Sequence, residues 1–258
     1  MVSDNTDPDP REPERRQRGR REPGPKRTAP EPTRSEPTWQ RARSSDKKEQ
    51  RVTAILDAAA DLFARRPYDA ITTEEIARGV GFTRPNLYRY FRSKEEIFLT
   101  LVDIDLTRWI DDLEQELQPA EYRDQAEALA EFVERWCRTL FRQERLLSLL
   151  PLMSLSLERN VSEANLLSFK QSLRANTERI GVAVSRTLPR LRGEAFTDFL
   201  NVNLALVAGL GPMSRRSELQ ERVLSRPELE HFKVDFERQF RRALRAQLRG
   251  SLADSTQA

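Results

Sequence analysis

Two helix signals follow each other closely between Thr72 and Lys94, and no other feature restricts the fold as strongly. Thr72 and Glu75 have the Thr-x-x-Glu spacing of a capping box, in which each side chain satisfies a backbone N–H of the other residue. Gly79 and Gly81 predict that the helix ends early, because glycine turns through a left-handed backbone conformation without steric cost. A short helix is therefore expected from Thr72 to the first glycine.

A second helix is predicted to begin at Thr83 and to run to Phe91. Thr83 is a suitable N-cap, and Pro85 falls in the first turn, where its missing N–H costs little. Leu87 and Phe91 are four residues apart and form one buried ridge. Two short helices joined by a tight turn predict a helix-turn-helix, and the alternative is an ordinary helical hairpin with a solvated basic face.

The residues that remain outward on the second helix are cationic or hydrogen-bonding. From Thr83 to Lys94 the sequence carries four cations and no acid. A cationic helix of this kind fits the major groove of DNA while its flanks contact phosphates. Lys94 stands near the start of the next helix, where a cation is unfavourable, and this suggests an anion outside the protein. The predicted DNA-binding residues are Thr72, Thr83, Arg84, Pro85, Asn86, Tyr88, Arg89, Tyr90, Arg92 and Lys94.

The run from Lys47 to Ile97 resembles the DNA-binding domain of the TetR family of bacterial transcription regulators. The resemblance rests on AAADLFARR at the end of the first helix, on the Thr-Thr-x-x-Ile-Ala start, on the glycine–hydrophobic–threonine turn and on LYRYFRSKEE. Pro85 departs from it, since many relatives carry a small residue there. Arg89 beside two tyrosines makes the predicted DNA-facing surface more cationic than usual.

This resemblance implies an all-α chain of about nine helices, in which a three-helix helix-turn-helix head precedes a larger helical domain for ligand binding and dimerisation. It also implies a homodimeric repressor that binds a palindromic operator in double-stranded DNA and is released by a small, mainly apolar effector. The alternatives are a transcription activator, a regulator with the same head and no small ligand, and a helical protein-interaction module whose basic helix binds an acidic protein surface.

The predicted DNA contacts divide into two groups. Arg84, Asn86 and Tyr88 are expected to face the bases or the nearby sugar-phosphate, and arginine with guanine is the best-matched pair. The resemblance assigns phosphate contacts to Lys94, Tyr88 and Tyr90. The residues expected to hold the DNA backbone are Thr72, Thr83, Tyr90, Arg92 and Lys94.

The composition changes near residue 45. Residues 1–45 hold eight of the fifteen prolines and almost no aliphatic residues, so they are predicted to be disordered. Within them Arg15–Arg21 carries five arginines in seven residues, which is either an arm for phosphates and the minor groove or a solubilising tail. The other predicted units are a helix-turn-helix domain at 46–93, an effector-binding and dimerisation domain at 94–249, and a disordered tail at 250–258.

Apolar residues at three- and four-residue steps predict the remaining helices. The first is expected from Asp46 to Arg66, and a long one from Phe98 to Leu117. Residues 146–157 are apolar nearly all round and predict a buried central helix with Pro151 early in it. Residues 213–227 are expected to form a loop or a single turn, and the last helix is expected to begin at about Pro227.

The resemblance places a ligand cavity inside the helical domain. The ligand-binding candidates, which could equally be plain core residues, are Phe132, Trp136, Met153, Phe169, Leu173, Asn176, Phe199 and Asn203. The resemblance also places the dimer on the last two helices, where a phenylalanine stripe exceeds what one monomer easily covers. The alternative is that these faces pack on the chain's own core. The dimer-interface candidates are Phe196, Leu200, Leu204, Val207, Phe232, Phe236, Phe240 and Leu244.

The composition offers little for catalysis. A single histidine, His231, and a single cysteine, Cys137, cannot form a usual zinc site or an internal disulfide. No strand precedes a glycine-rich loop, so the chain is predicted to be no enzyme and to need no cofactor or metal. Neither a signal peptide nor a membrane span is apparent, and a cytoplasmic location is expected. The net charge of +3 is too small by itself to indicate a nucleic-acid partner.

Overall fold

Helices account for all the regular structure in the described part of the chain. The computed structural model describes the backbone of residues 38–254 and the side chains of residues 46–153 and 155–253. The ten α-helices are α1 Thr38–Phe63, α2 Thr73–Gly79, α3 Arg84–Leu87, α4 Lys94–Glu116, α5 Gln125–Phe141, α6 Glu144–Leu152, α7 Glu163–Ser185, α8 Glu194–Ser214, α9 Glu218–Leu224 and α10 Phe236–Asp254. Two 3-10 helices, Tyr68–Ala70 and Pro227–Phe232, and one π-helix, Met153–Leu157, lie between them. The all-α class expected from the sequence is confirmed.

The predicted disorder concerns mainly residues that lie outside the described range. These are the arginine run Arg15–Arg21 with the rest of residues 1–37, and residues 255–258. Inside the range, α1 begins at Thr38 rather than at residue 46. The last helix continues to Asp254, where Leu252 is buried, so residues 250–254 are helical and not a tail.

The first three helices form a small head around one apolar core. Ile55 of α1, Ile76 of α2 and Leu87 of α3 are fully buried there. Gly81 turns the chain between α2 and α3 with φ of 69°, as expected. Gly79 was expected to adopt the same left-handed conformation, and that prediction is wrong. A Cβ at Gly79 would stand 3.2 Å from the Cβ of Ala58, so close packing against α1 favours glycine there.

Helix α4 connects the head to the rest of the chain. Its N-cap is Ser93, whose hydroxyl accepts the N–H of Glu96 at 3.2 Å. At about 1.5 Å per residue, its 23 residues make a rod of roughly 35 Å where the sequence predicted a long helix. It packs against α5, α6 and α7, and it buries Trp109, Ile110 and Leu113.

The helix predicted at 146–157 is interrupted. Pro151 lies in the last turn of α6 and not early in a helix, and the π-helix Met153–Leu157 follows it directly. Proline has no N–H to donate to the preceding turn, which accounts for the irregularity at this point. The segment is also less buried than expected, because Leu155 is exposed.

The last helix starts later than expected. Residues 227–232 form a 3-10 helix, and α10 begins at Phe236, where Asp235 accepts the N–H of Arg238 at 3.1 Å. The region 213–227 holds more structure than a single turn, because Ser217 and Gln220 form a capping box at the start of α9. Helix α10 packs on α5 and α8 of its own chain.

Two absences concern the described residues only. No helix in the range 38–254 has the length and apolar character needed to cross a membrane. Among the same residues, no group of three or more histidine, cysteine or acidic side chains is placed to hold a metal ion. Cys137 is a free, fully buried thiol, and burial raises its pKa to about 12.

Candidate nucleic-acid interface and internal cavity

The start of α2 is held by the capping box that the sequence predicted. Thr72 accepts the N–H of Glu75 at 3.3 Å, and the carboxylate of Glu75 accepts the N–H of Thr72 at 3.0 Å. Arg66, three residues after the end of α1, donates to the same carboxylate at 2.6 Å. The hydrogen bonds from Arg66 and Thr72 lower the pKa of Glu75 to about 2. Since Glu75 is ionised and bonded to the turn that follows α1, the entry to the helix-turn-helix is held by specific hydrogen bonds.

The second helix lies where it was predicted but is shorter. Regular α-helix covers Arg84–Leu87, and the chain then continues in turns, with the N–H of Phe91 donating to the carbonyl of Leu87 at 3.1 Å. Thr83 occupies the N-cap position, but its side chain makes no capping hydrogen bond, so the predicted cap is wrong in that respect. Leu87 and Phe91 are buried and anchor the segment, as expected.

The residues from Thr83 to Lys94, here named the basic segment, present most of the predicted side chains to solvent. Eight of the ten predicted DNA-binding residues are exposed: Thr72, Thr83, Arg84, Pro85, Asn86, Tyr88, Arg89 and Arg92. The other two, Tyr90 and Lys94, are half-buried. Within the described chain, Arg89 and Arg92 take part in no side-chain ion pair. The arrangement therefore offers unpaired positive charge on one short, rigid element.

Arg84 is already engaged by its neighbours. Its Nη1 lies 2.7 Å from Oε1 of Glu74 in α2, and its Nε and Nη2 donate to the Tyr88 hydroxyl at 3.1 and 3.0 Å. The basic segment itself contains no acid, and the turn between α2 and α3 brings Glu74 against it. Both partners of the ion pair are about half exposed, so the pair is weak and exchangeable.

Lys94 has partners inside the protein. Its ammonium donates to the carbonyl oxygens of Tyr68 and Ile71 at 3.2 and 3.1 Å, and it lies 4.2 Å from the centre of the Tyr68 ring. Its position therefore does not by itself indicate an anion outside the protein, because backbone oxygens and an aromatic face stabilise the charge. An ammonium has three donors, so a phosphate contact through the third stays a prediction.

Tyr90 brings a further cation to the surface. Its hydroxyl accepts from Nη1 of Arg51 at 3.0 Å, and its ring stacks on Phe82 with centroids 6.1 Å apart. Arg51 lies on α1 and is exposed. Sequence spacing alone could not assign Arg51 to this surface, since 39 residues separate it from Tyr90.

A cavity of about 300 Å³ lies among α4, α5, α6, α7 and α8. Its described lining is uncharged and mostly apolar, with asparagine and threonine side chains on α7 and α8. The lining residues are Leu106, Trp109, Trp136, Leu140, Leu150, Met153, Leu173, Asn176, Thr177, Ile180, Thr197, Leu200, Asn201, Asn203, Leu204 and Val207. An uncharged wall of this kind suits a ligand without charge.

Five of the eight predicted ligand-binding residues line this cavity: Trp136, Met153, Leu173, Asn176 and Asn203. The other three do not. Phe132 and Phe199 are fully buried, with ring centroids 5.6 and 4.8 Å from that of Trp136, and Phe169 is buried on α7. These three residues are buried away from the cavity. The sequence could not separate them from the lining residues, because aromatic spacing on a helix does not distinguish a cavity wall from a filled core.

Three polar side chains of the cavity wall, Trp136, Asn176 and Asn203, make hydrogen bonds within the protein. The indole N–H of Trp136 donates to Oδ1 of Asn203 at 3.1 Å, and the Asn203 amide donates to the carbonyl of Phe199 at 2.7 Å. The amide of Asn176 donates to the Thr107 hydroxyl on α4 at 3.2 Å. These bonds orient the three side chains in the wall.

The predicted dimer-interface residues separate into three groups. Three of them are buried within the chain: Val207, Phe240 and Leu244. Their assignment is corrected, because α8 and α10 pack these faces against each other and against α6 and α5 of the same chain. Leu200 and Leu204 line the cavity together with Val207. Phe196 and Phe236 are half-buried, and Phe232 alone of the eight is strongly exposed, at 61%.

Helix α8 carries a second apolar face, whose residues are not among the predicted dimer-interface residues. No charged residue occurs between Phe199 and Met213. On the side away from the core, Val202, Ala205 and Gly209 are exposed together with Met213. These four residues, here named the α8 stripe, recur at three- and four-residue steps and so share one face.

Two family sequence models match this chain. One, described as "Bacterial regulatory proteins, tetR family", matches residues 55–101 and so includes the basic segment. The other, described as "Tetracyclin repressor-like, C-terminal domain", matches residues 103–255, which is more than half of the 258 residues. The two matches meet within α4, the helix that leaves the head.

Two curated relatives match over a short stretch of the chain. The chain is 44% identical over 55 residues to the HTH-type transcriptional regulator EthR of Mycobacterium tuberculosis, covering 21% of this chain and 26% of that protein. It is 38% identical over 55 residues to the HTH-type transcriptional regulator QacR of Staphylococcus aureus, covering 21% and 29%. The matched stretch thus spans less than a third of either relative.

Among solved structures, the TetR family transcriptional regulator PfmR of Thermus thermophilus aligns with a TM-score of 0.41 at 21% identity, over 76% of this chain and 94% of that one. The family descriptions are of regulatory proteins, in agreement with the expectation that the chain is a regulator and not an enzyme. With one family model covering the head and another covering more than half of the sequence, the chain belongs to the TetR family of bacterial regulatory proteins.

Proposed function

We propose that this protein is a sequence-specific DNA-binding transcriptional regulator. The observation that carries the proposal is the basic segment: a short rigid element, anchored by buried Leu87 and Phe91, that exposes unpaired arginines beside a capped helix of a TetR-family head. Positive charge on an element narrow enough for the major groove is what binding to duplex DNA requires.

The contacts divide as the sequence suggested. Arg84, Asn86 and Tyr88 read base edges from the exposed side of α3, with Pro85 and Arg89 beside them. The backbone contacts come from Thr72, Thr83, Tyr90, Arg92 and Lys94. Arg84 exchanges Glu74 for guanine on binding, which is inexpensive because the ion pair is solvated.

The regulator acts as a homodimer on a palindromic operator. The α8 stripe supports this step, since an uncharged helix face that exposes Val202 and Met213 is better covered by a second copy than by water. Its alanine and glycine allow two helices to approach closely. A two-fold dimer would place two basic segments on successive turns of one DNA face.

A small uncharged effector bound in the cavity releases the protein from its operator, so that the protein is a repressor. The uncharged lining with fixed asparagines supports this choice of ligand. Leu106 and Trp109 of α4 belong to the cavity wall, so an occupant pushes directly on the helix that leads to the head. A coupling free energy of about 1–3 kcal/mol would weaken operator binding roughly 5- to 150-fold.

The test is a mobility-shift assay with the DNA that flanks the protein's own coding region, with scrambled DNA as competitor. Arg84→Ala should lower the preference for the specific DNA, since one good base contact contributes about 1–3 kcal/mol of discrimination. Arg92→Ala, which removes an exposed arginine without internal side-chain ion pairs, should weaken both DNAs alike and reduce the salt slope by about 1. No sequence-specific shift with any flanking fragment would refute the proposed function.

A further inference from the structure

Glu96 is a buried carboxylate in the first turn of α4, and it is only 3% exposed. Among the described residues, no lysine or arginine forms an ion pair with it. Its Oε2 accepts the backbone N–H of Arg92 at 2.8 Å, and its Oε1 accepts the backbone N–H of Ser162 at 3.2 Å. A buried charge without a cation partner depends on such hydrogen bonds, so both donors are needed.

The carboxylate thereby caps a helix to which it does not belong. Ser162 is the N-cap residue of α7, and its hydroxyl accepts the N–H of Asn165 at 3.4 Å. The first turn of α7 presents N–H groups and the positive end of the helix dipole to this acid. Burial by itself would raise the pKa of Glu96. The hydrogen bonds from Arg92, Ser162 and Asn165 together outweigh burial and lower the pKa below its ordinary value, so the carboxylate stays ionised.

A second connection lies beside the first. The hydroxyl of Ser93 accepts the N–H of Glu96 at 3.2 Å and donates to the carbonyl of Asn160 at 2.7 Å. The loop that ends the basic segment is therefore joined to the loop that begins α7 by hydrogen bonds in both directions, across 66 and 67 residues of sequence.

The two joined loops lead to the two proposed sites. Arg92 is the exposed residue that follows the buried anchor Phe91. In the other direction, α7 continues to Leu173, Asn176 and Ile180 in the cavity wall. Asn176 connects the cavity with α4, because it lines the cavity and donates to the Thr107 hydroxyl.

Helix α7 is also held to α4 along its length. The Ser172 hydroxyl donates to Asp103 at 2.6 Å, and Arg179 donates to Asp111 and Glu114 at 2.6 and 2.7 Å. With Glu96 and Thr107, these bonds make a series of polar contacts from the cavity wall to the basic segment. A movement of α7 thus acts on the N-terminus of α4 through specific bonds.

We propose that Glu96 is a positioning residue that fixes the end of the basic segment to the N-terminus of α7, so that α7 transmits the state of the cavity to the DNA-binding surface. This inference rests on the proposed function. It makes α7 a second route to the head, beside the α4 rod itself. If the donors of Ser162 withdraw, the buried carboxylate is left short of partners, and the N–H of Arg92 is no longer held in place.

The backbone of Ser162 permits a selective test. Its φ of −68° matches the φ of proline, so Ser162→Pro removes the N–H that Glu96 accepts without changing that torsion. Ser162→Ala is the matched control, because it removes the same hydroxyl and keeps the N–H. Comparing the two isolates the single bond between α7 and Glu96.

Two measurements are made on the full chain. Hydrogen exchange followed by mass spectrometry should show faster exchange of a peptide containing residues 92–96 in Ser162→Pro than in Ser162→Ala. Binding to the DNA fragment shifted by the wild-type protein should weaken about tenfold in Ser162→Pro, as for the loss of a hydrogen bond to a charged group, and less than threefold in Ser162→Ala. Glu96→Gln, which keeps the volume and one acceptor oxygen, should weaken DNA binding to an intermediate extent.

The outcomes separate the two proposals. If the wild-type protein shifts no DNA specifically, the proposed function fails, and the exchange experiment still decides whether Glu96 holds the segment. If DNA binding is specific but Ser162→Pro and Ser162→Ala agree within twofold in affinity and in exchange at residues 92–96, Glu96 is not the positioning residue. If Ser162→Pro does not fold, Glu96→Gln with wild-type exchange and affinity overturns the inference equally.

Discussion

At the scale of single residues, the DNA-binding surface contains an acid where only cations were expected. Glu74 lies ten positions before Arg84, and only the turn at Gly81 brings the two side chains to 2.7 Å. The sequence predicts which residues of the basic segment point outward, because helical spacing and a buried ridge suffice for that. It cannot predict the partner, which depends on the angle between α2 and α3.

The first prediction concerns this acid. Glu74→Gln should tighten binding to the specific DNA by roughly two- to fivefold, because a solvated ion pair contributes about 0–1 kcal/mol and the carboxylate also repels phosphates. Fluorescence anisotropy with a labelled operator fragment at several salt concentrations measures this change, and the gain should shrink as salt rises. Weaker binding would mean that Glu74 orients Arg84 for its base contact.

A matched substitution separates the local effect from net charge. Glu228→Gln removes the same charge from the 3-10 helix at 227–232, where the glutamate is exposed and belongs to the helical domain. It should leave DNA affinity within about twofold of wild type, because charges beyond a Debye length are screened. An equal gain from both variants would assign the effect to overall charge.

At the scale of helices, periodicity found apolar faces correctly but not the surfaces that cover them. The stripe on α10 was expected to meet a second copy, yet Phe240 and Leu244 are fully buried against the chain's own helices. Helix α8 is apolar nearly all round, so its spacing allowed several choices of face. The residues facing inward are Phe199, Asn203 and Val207, and the α8 stripe lies on the other side.

The second prediction tests the α8 stripe. Ala205→Glu should convert the proposed dimer to monomer, because a buried, unpaired carboxylate costs several kcal/mol and should raise the dimer dissociation constant by about 100-fold or more. Sedimentation equilibrium at several concentrations measures this constant. Ala130→Glu, at an exposed alanine of α5, is the matched control and should remain dimeric.

A core substitution should behave differently. Phe240→Ala should lower the free energy of unfolding by about 3–5 kcal/mol without changing the oligomeric state of the folded protein. If Phe240→Ala instead produced stable monomers while Ala205→Glu stayed dimeric, the interface would lie on α10 as the sequence first suggested.

At the scale of the whole molecule, the sequence predicted several features that depend on neighbouring residues and missed contacts between distant ones. The capping box at Thr72 and the α4 rod follow from local spacing. The bond between Glu96 and Ser162 joins positions 66 apart, and the cavity arises where five helices fail to fill one space. Neither leaves a periodic signal, which is why the cavity wall was predicted only in part.

The cavity and the DNA surface should behave as one linked system. A neutral fluorescent probe of the cavity, N-phenyl-1-naphthylamine, should bind in saturable fashion and weaken operator binding by some factor. Because linkage is reciprocal, saturating operator DNA must weaken probe binding by the same factor, roughly 5- to 150-fold for ordinary coupling energies. Leu204→Phe, which adds volume to the cavity wall, should abolish probe binding and leave DNA affinity unchanged. Leu206→Phe on the same helix, outside the wall, should retain both. Equal probe affinity with and without operator would separate the cavity from DNA release, since a ligand that binds both states equally cannot shift the balance between them.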